Sequence, residues 1–232
     1  MNDNQRFIIK PDFKNLSEHK LNYKDILIYI AIRSFYNFED KYCYPSYDAI
    51  AKRAQLSKKF VGESVKRLEG AKFLQVWRVV KRRIRHYYRF DQPIISYQKV
   101  PYQLLLDSDL TVFEKGILLL FREHCDSFYE CSKSIAEIAS ESGLTYRTIH
   151  NQYQTLLLKG YIVECLYEDP LNNTLSKVIR LTQKLKWDFP QSQNTRSAIN
   201  EAPEKPDFDI NAIIKMATNM LINRGPRSNY GV

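Results

Sequence analysis

The chain is written twice. Ile50-Ala51 is matched by Ile138-Ala139, Leu56-Ser57 by Leu144-Thr145, Val61 by Ile149, Leu68 by Leu156 and Phe73-Leu74 by Tyr161-Ile162, every pair 88 positions apart and without a gap. Self-similarity at a fixed period means that one supersecondary unit is used twice, so the fold of the first copy constrains the second. With 232 residues, 44% of them hydrophobic, there is enough chain for two domains with cores of their own.

Each copy opens on an apolar helix. Ile26, Leu27, Ile30 and Ala31 recur at helical spacing in the first, and Phe113, Ile117, Leu120 and Phe121 in the second, where Thr111 with Glu114 reads as an N-terminal capping box. Turn-rich segments then lead to short helices, from Tyr47 to about Ala54 and from Ile135 to about Ser142. Ser57 and Thr145 follow as N-caps of a third helix, which buries Val61, Val65 and Leu68 in one copy and Ile149, Tyr153 and Leu156 in the other. Two short helices joined by a tight turn make a helix-turn-helix. After it, Phe73 to Val80 and Ile84 to Phe90 are rich in aromatic and β-branched residues and read as a hairpin, with Lys81-Arg82-Arg83 at its tip. In the second copy, Tyr161 to Tyr167 and Leu175 to Leu181 flank a tip that carries Glu168 and Asp169 and so repels phosphate. The expected class is therefore mainly α with small β wings (α+β): two tandem winged-helix domains, residues 1–95 and 96–187, then a linker over 188–207 and a C-terminal amphipathic helix and tail over 208–232.

Charge is distributed as unevenly as the pattern is regular. Between Lys58 and Arg89 there are eleven Lys and Arg against Glu63 and Glu69, a net +9, and the whole chain nets 35 − 26 = +9. The remainder sums to zero. A localised basic footprint suits a polyanion, because cations that neutralise phosphates release condensed counterions. A merely solvated basic face is the blander alternative, and the position of the run inside a helix-turn-helix pattern argues against it.

The run from Tyr44-Pro45-Ser46 through Ala54-Gln55-Leu56-Ser57 to Phe60-Val61, continued by Val65 to Leu74, resembles the helix-turn-helix domain at the front of many bacterial plasmid and phage replication proteins. The segment Val100 to Lys115 is similar to the lead-in that such proteins place before a winged helix. The resemblance spans roughly residues 20 to 182 and implies a DNA-binding fold, with replication initiation as the expected role; transcriptional regulators and excision factors share these motifs. Gly commonly opens the inter-helix turn in this family. The second copy has Gly143 there and the first has Ala54 or Gln55.

With Val61, Val65 and Leu68 inward, the first recognition helix turns Lys58, Lys59, Gly62, Glu63 and Lys66 outward, Arg67 lies at the edge, and Ser57 sits near the DNA backbone. Lys59 and Lys66 suit phosphates or guanine, Glu63 suits cytosine, and Gly62 permits close approach. The hairpin adds Arg78, Lys81, Arg82, Arg83 and Arg85 for the backbone or a narrow minor groove. Its aromatics Trp77, His86, Tyr87 and Tyr88 either stack on bases or, as is commoner, pack on the adjacent helix. The second helix offers Tyr146, Arg147, His150, Asn151 and Gln154, a set rich in bidentate base readers. Its acidic hairpin keeps open a second reading, in which this copy contacts protein instead.

Catalysis is not expected. There is no Gly-x-x-x-x-Gly-Lys-Ser/Thr run and no His-x-His pair, although sixteen Tyr leave a tyrosine nucleophile of DNA-nicking type formally open. No cofactor or metal is expected: the four Cys form no Cys-x-x-Cys pair, and His124, Cys125 and Cys131 are not spaced as a zinc knuckle. The start of the chain is not that of a secretory signal, and no apolar stretch approaches a membrane span, so a cytoplasmic protein with no membrane contact is expected. The expected partners are double-stranded DNA, replication or transcription proteins, and a second copy if the helix after Asp209 dimerises rather than folding back on its own chain.

Overall fold

In each copy a polar side chain caps a helix that is apolar on nearly every face. The computed structural model describes residues 6–37, 39–80, 84–90, 97–169 and 174–187. The first copy runs β1 (Phe7–Pro11), α1 (Tyr23–Arg33), α2 (Tyr47–Ala54), α3 (Lys58–Gly70), β2 (Gln75–Val80) and β3 (Ile84–Arg89). The second runs β4 (Tyr97–Pro101), α4 (Gln103–Leu106), α5 (Val112–Glu123), β5 (Glu130–Cys131), α6 (Ile135–Ser142), α7 (Tyr146–Leu158), β6 (Ile162–Asp169) and β7 (Thr174–Leu181). This mixture of helices and small antiparallel sheets is α+β, as expected. The linker and the C-terminal helix expected over 188–232 lie outside the described residues. No helix among the described residues is long and apolar enough to cross a membrane.

Capping boxes start both central helices: Asn22 with Asp25 on α1, and Thr111 with Glu114 on α5. Each acidic residue also takes a cation from beyond its own helix. Asp25, fully buried, receives Arg67 through two bonds of 2.7 Å, and Glu114 receives Lys159 at 2.9 Å. One carboxylate thus fastens both the start of the central helix and the end of the recognition helix. Ile26 to Ile32 and Ile117 to Phe121 are each at most 2% exposed. A helix buried all round needs neighbours on every side, and α1 has α2, α3, α5 and β1.

The packing of α1 on α5 requires a glycine. A Cβ on Gly116 would stand 2.6 Å from the Tyr23 ring, so only hydrogen fits. Across the same contact the Lys24 ammonium lies 4.1 Å from the centre of the Phe113 ring. Counted from their N-caps, Asn22 and Thr111, Lys24 and Phe113 are equivalent positions, which touch each other only near a two-fold axis.

Strand pairing repeats that symmetry. β1 and β4 pair antiparallel, with Phe7 opposite Pro101, Ile9 opposite Lys99 and Pro11 opposite Tyr97. The two strands begin on Phe7 and Tyr97 and end on Pro11 and Pro101, so the ladder is symmetric about its central pair, Ile9 and Lys99. A local two-fold axis therefore relates the two lead-in strands. The copies expected as residues 1–95 and 96–187 are packed on each other within one compact unit, residues 1–190. A buried ion pair, Lys10 with Glu123, crosses from β1 to the end of α5, and Glu123 also accepts from the Phe13 amide at 3.0 Å.

Gln55 stands where a glycine is expected, and the structure supplies the reason. Both turns use a left-handed residue after the second helix, Gln55 at φ 57° and Gly143 at φ 69°. Glycine enters that region without strain and glutamine does not. The Gln55 side chain, however, accepts from the Lys115 ammonium at 3.3 Å; Lys115 is 1% exposed and also donates to the Leu105 carbonyl at 3.2 Å. Burial pushes the Lys115 pKa down, so each acceptor counts. Gln55→Ala keeps the strained turn and removes the acceptor; it is expected to lower stability by about 1–2 kcal/mol in urea denaturation. An unchanged midpoint would show that the bond contributes nothing.

Candidate nucleic-acid interface

Ser57 caps α3 by accepting from the Phe60 amide at 3.2 Å, and the helix it starts buries Val61, Ser64, Val65 and Leu68. The opposite face carries Lys58, Lys59, Glu63 and Lys66, all exposed. Lys58 is already engaged with Asp48 of α2 at 2.9 Å, a pairing in solvent that a phosphate can exchange for its own at little cost. Lys59, Glu63 and Lys66 form the open stripe.

On α3, two residues expected to face DNA do something else. Arg67 turns inward onto Asp25, and a guanidinium that neutralises a buried carboxylate cannot leave it without stranding that charge. Gly62 faces α2: a Cβ there would lie 3.3 Å from the Tyr47 ring, so the glycine serves close packing of the two helices rather than approach to a groove.

The hairpin divides by face. Val76, Arg78 and Val80 alternate with Gln75, Trp77 and Val79, and the register sets Arg78 opposite His86 and Trp77 opposite Tyr87. Tyr88, fully buried, and His86 lie on the inner side, where His86 stacks on Tyr47 with ring centroids 4.5 Å apart and planes at 11°. Burial, with Arg78 nearby, lowers the His86 pKa, which favours the neutral ring. Arg78 pairs with Glu69 of α3 at 2.7 Å, and that bond raises its pKa. Arg78 thus helps to fix the hairpin to α3. Arg85 is exposed on the outer side. Lys81, Arg82 and Arg83 lie outside the described residues. Tyr47 and Glu69, which set the angle of the hairpin, escaped the sequence analysis; their signal is the aromatic and carboxylate opposite a His and an Arg, legible only once the register is known.

On α7 the exposed face holds Tyr146, Arg147, Asn151 and Gln154. His150 is half-buried, with the Tyr146 ring stacked on it at 5.5 Å and the Tyr153 ring tilted at 6.2 Å, so it braces the exposed face more than it extends it. Cations in and just after the hairpin of this copy are paired with carboxylates: Lys177 with Glu164 across the hairpin, Arg180 with Glu130 of β5, and Lys184 with Asp109 before α5. The Lys177 bond holds the Glu164 carboxyl below its ordinary pKa.

Burial pushes the Cys43 thiol up to about 12 and Cys131 up to about 11, values that suit unreactive core thiols. Among the described residues no group of three or more His, Cys, Asp and Glu side chains is placed to hold a metal ion.

No curated protein matches this chain. Residues 19–74, from the approach to α1 to the residue before β2, match the family model of a helix-turn-helix domain, which supports DNA binding by this part of the chain.

Proposed function

We propose that this protein is a sequence-specific double-stranded DNA-binding protein with two tandem winged-helix units, acting without catalysis as a replication initiator at the origin of a plasmid, phage or other mobile element. The observation that carries the DNA-reading part is the local two-fold axis through the Ile9–Lys99 pair, beside which α1 packs on α5. Duplex DNA has two-fold axes of its own, so reading helices set about such an axis would meet inverted half-sites. Here the helices differ, Lys59, Glu63 and Lys66 on α3 against Arg147, Asn151 and Gln154 on α7. One chain is therefore expected to cover two unlike half-sites in opposite orientation. The initiator role is supported by the resemblance of Tyr44 to Leu74 to replication proteins; transcriptional or recombination control is the second reading, which shares the same motifs.

Footprinting on the DNA that encodes the protein separates the roles: protection of a repeat array beside an origin supports initiation, and protection of a promoter supports regulation. DNA contact itself is tested by Lys59→Ala with Lys66→Ala. If each lysine neutralises one phosphate, the slope of log affinity against log salt becomes shallower by about 2, and specific and nonspecific duplex binding weaken together. An unchanged slope would remove α3 from the interface.

A further inference from the structure

The core of this chain leaves the outer face of the first hairpin uncovered. Trp77 and Tyr87 oppose each other there across β2 and β3, where cross-strand partners stand close enough for their side chains to touch. Tyr42 and Tyr44, from the turn before α2, bring their ring centroids to 5.7 and 5.8 Å from that of Tyr87. Tyr42, Trp77 and Tyr87 border a groove of about 490 Å³, which Val79, Lys41, Asp40 and Arg89 also line. Trp77 is 43% exposed and Tyr44 62%, so their ring surface is available rather than consumed in packing.

We propose that this face binds the unpaired bases of a single-stranded nucleic acid. Bases in a duplex are stacked on one another and present only their edges; a strand without a partner presents π faces, which aromatic side chains accept irrespective of sequence. The charge around the rings fits the same ligand. Lys41 and Arg85 lie on this side against Asp40, whose carboxylate already accepts from the Asn37 side-chain amide at 2.7 Å. An apolar peptide would use the rings and leave the cations idle, whereas a phosphodiester strand uses both. The proposal does not rest on α3 or α7 reading duplex DNA.

Trp77 is also the reporter. The only other indole, Trp187, is 5% exposed, so a Trp187→Phe background isolates the signal, and the difference between the unmodified chain and Trp77→Phe gives it independently should that background fold poorly. Titration of the full chain with oligothymidine is expected to quench Trp77 fluorescence saturably. Trp77→Leu with Tyr87→Leu, which keeps apolar bulk and removes the π faces, is expected to weaken oligothymidine binding about tenfold or more while changing affinity for a random-sequence duplex by less than about twofold. Lys59→Ala with Lys66→Ala is expected to do the reverse, so failure of the duplex reading and of this one are told apart. The proposal is overturned if oligothymidine leaves Trp77 unquenched, if single-strand and duplex affinities fall equally in the leucine variant, or if an abasic oligonucleotide quenches as well as oligothymidine.

Discussion

Glu123→Ala is expected to lower the unfolding free energy of the full chain by about 3–5 kcal/mol, the usual cost of breaking a buried ion pair from one side. Both partners are sealed from water, with side-chain exposures of 0% for Lys10 and 1% for Glu123. Truncation strands an ammonium whose pKa burial has already pushed down, and it also leaves the Phe13 amide without its acceptor. For an ordered unit of this size such a loss lowers the melting temperature by roughly 6–20 °C. Because the pair ties β1 of the first copy to α5 of the second, the whole unit should lose stability in one transition rather than one copy melting early. Replacing both partners, Lys10→Met with Glu123→Leu, removes the stranded charge and is expected to recover most of the loss. A Glu123→Ala protein that melts where the unmodified chain does would show that the two copies are not held together here.

The second large effect is expected on α7. Arg147→Ala with Asn151→Ala should reduce the preference for the cognate site over random duplex by about 1–3 kcal/mol per lost bidentate contact, with nonspecific affinity nearly intact. Both side chains are exposed on α7, and the Lys59 and Lys66 stripe on α3 that supplies the proposed phosphate contacts is left intact. Competition binding with cognate and scrambled duplexes measures the ratio directly. If the double variant discriminates as well as the unmodified protein, the second copy does not read DNA, and the reading in which it contacts protein takes its place.

Much of this architecture was legible in the residues because it rests on local rules. The helices from Tyr47 to Ala54 and from Ile135 to Ser142 end where the apolar rhythm ends, and Ser57, Thr111 and Thr145 cap where short hydroxyl side chains precede a helical face. The inward sets Val61, Val65, Leu68 and Ile149, Tyr153, Leu156 follow from a period of 3.6 alone. Even the hairpins came within two residues of their observed ends, since β-branched and aromatic runs either side of a polar tip have few other uses.

What a side chain does at a long-range contact was decided only by the tertiary structure. Arg67 and Lys66 are adjacent and both basic, yet one neutralises a carboxylate 42 positions away and the other faces solvent; helical spacing puts Arg67 at the edge of the outward face but does not name its partner. Gln55 looks like an unsuitable residue for its turn until Lys115 arrives from the other copy. The symmetric pairing of β1 with β4 joins strands 90 positions apart, and neither strand has enough periodicity to announce it. The sequence by itself determined a helical pattern used twice, a helix-turn-helix over residues 19–74 and one concentrated positive charge, because capping, periodicity and composition act over a few residues. The local two-fold axis, the face of the hairpin on which each aromatic lies and the removal of Arg67 from the DNA-facing set required the folded chain, because burial and pairing are properties of neighbours in space.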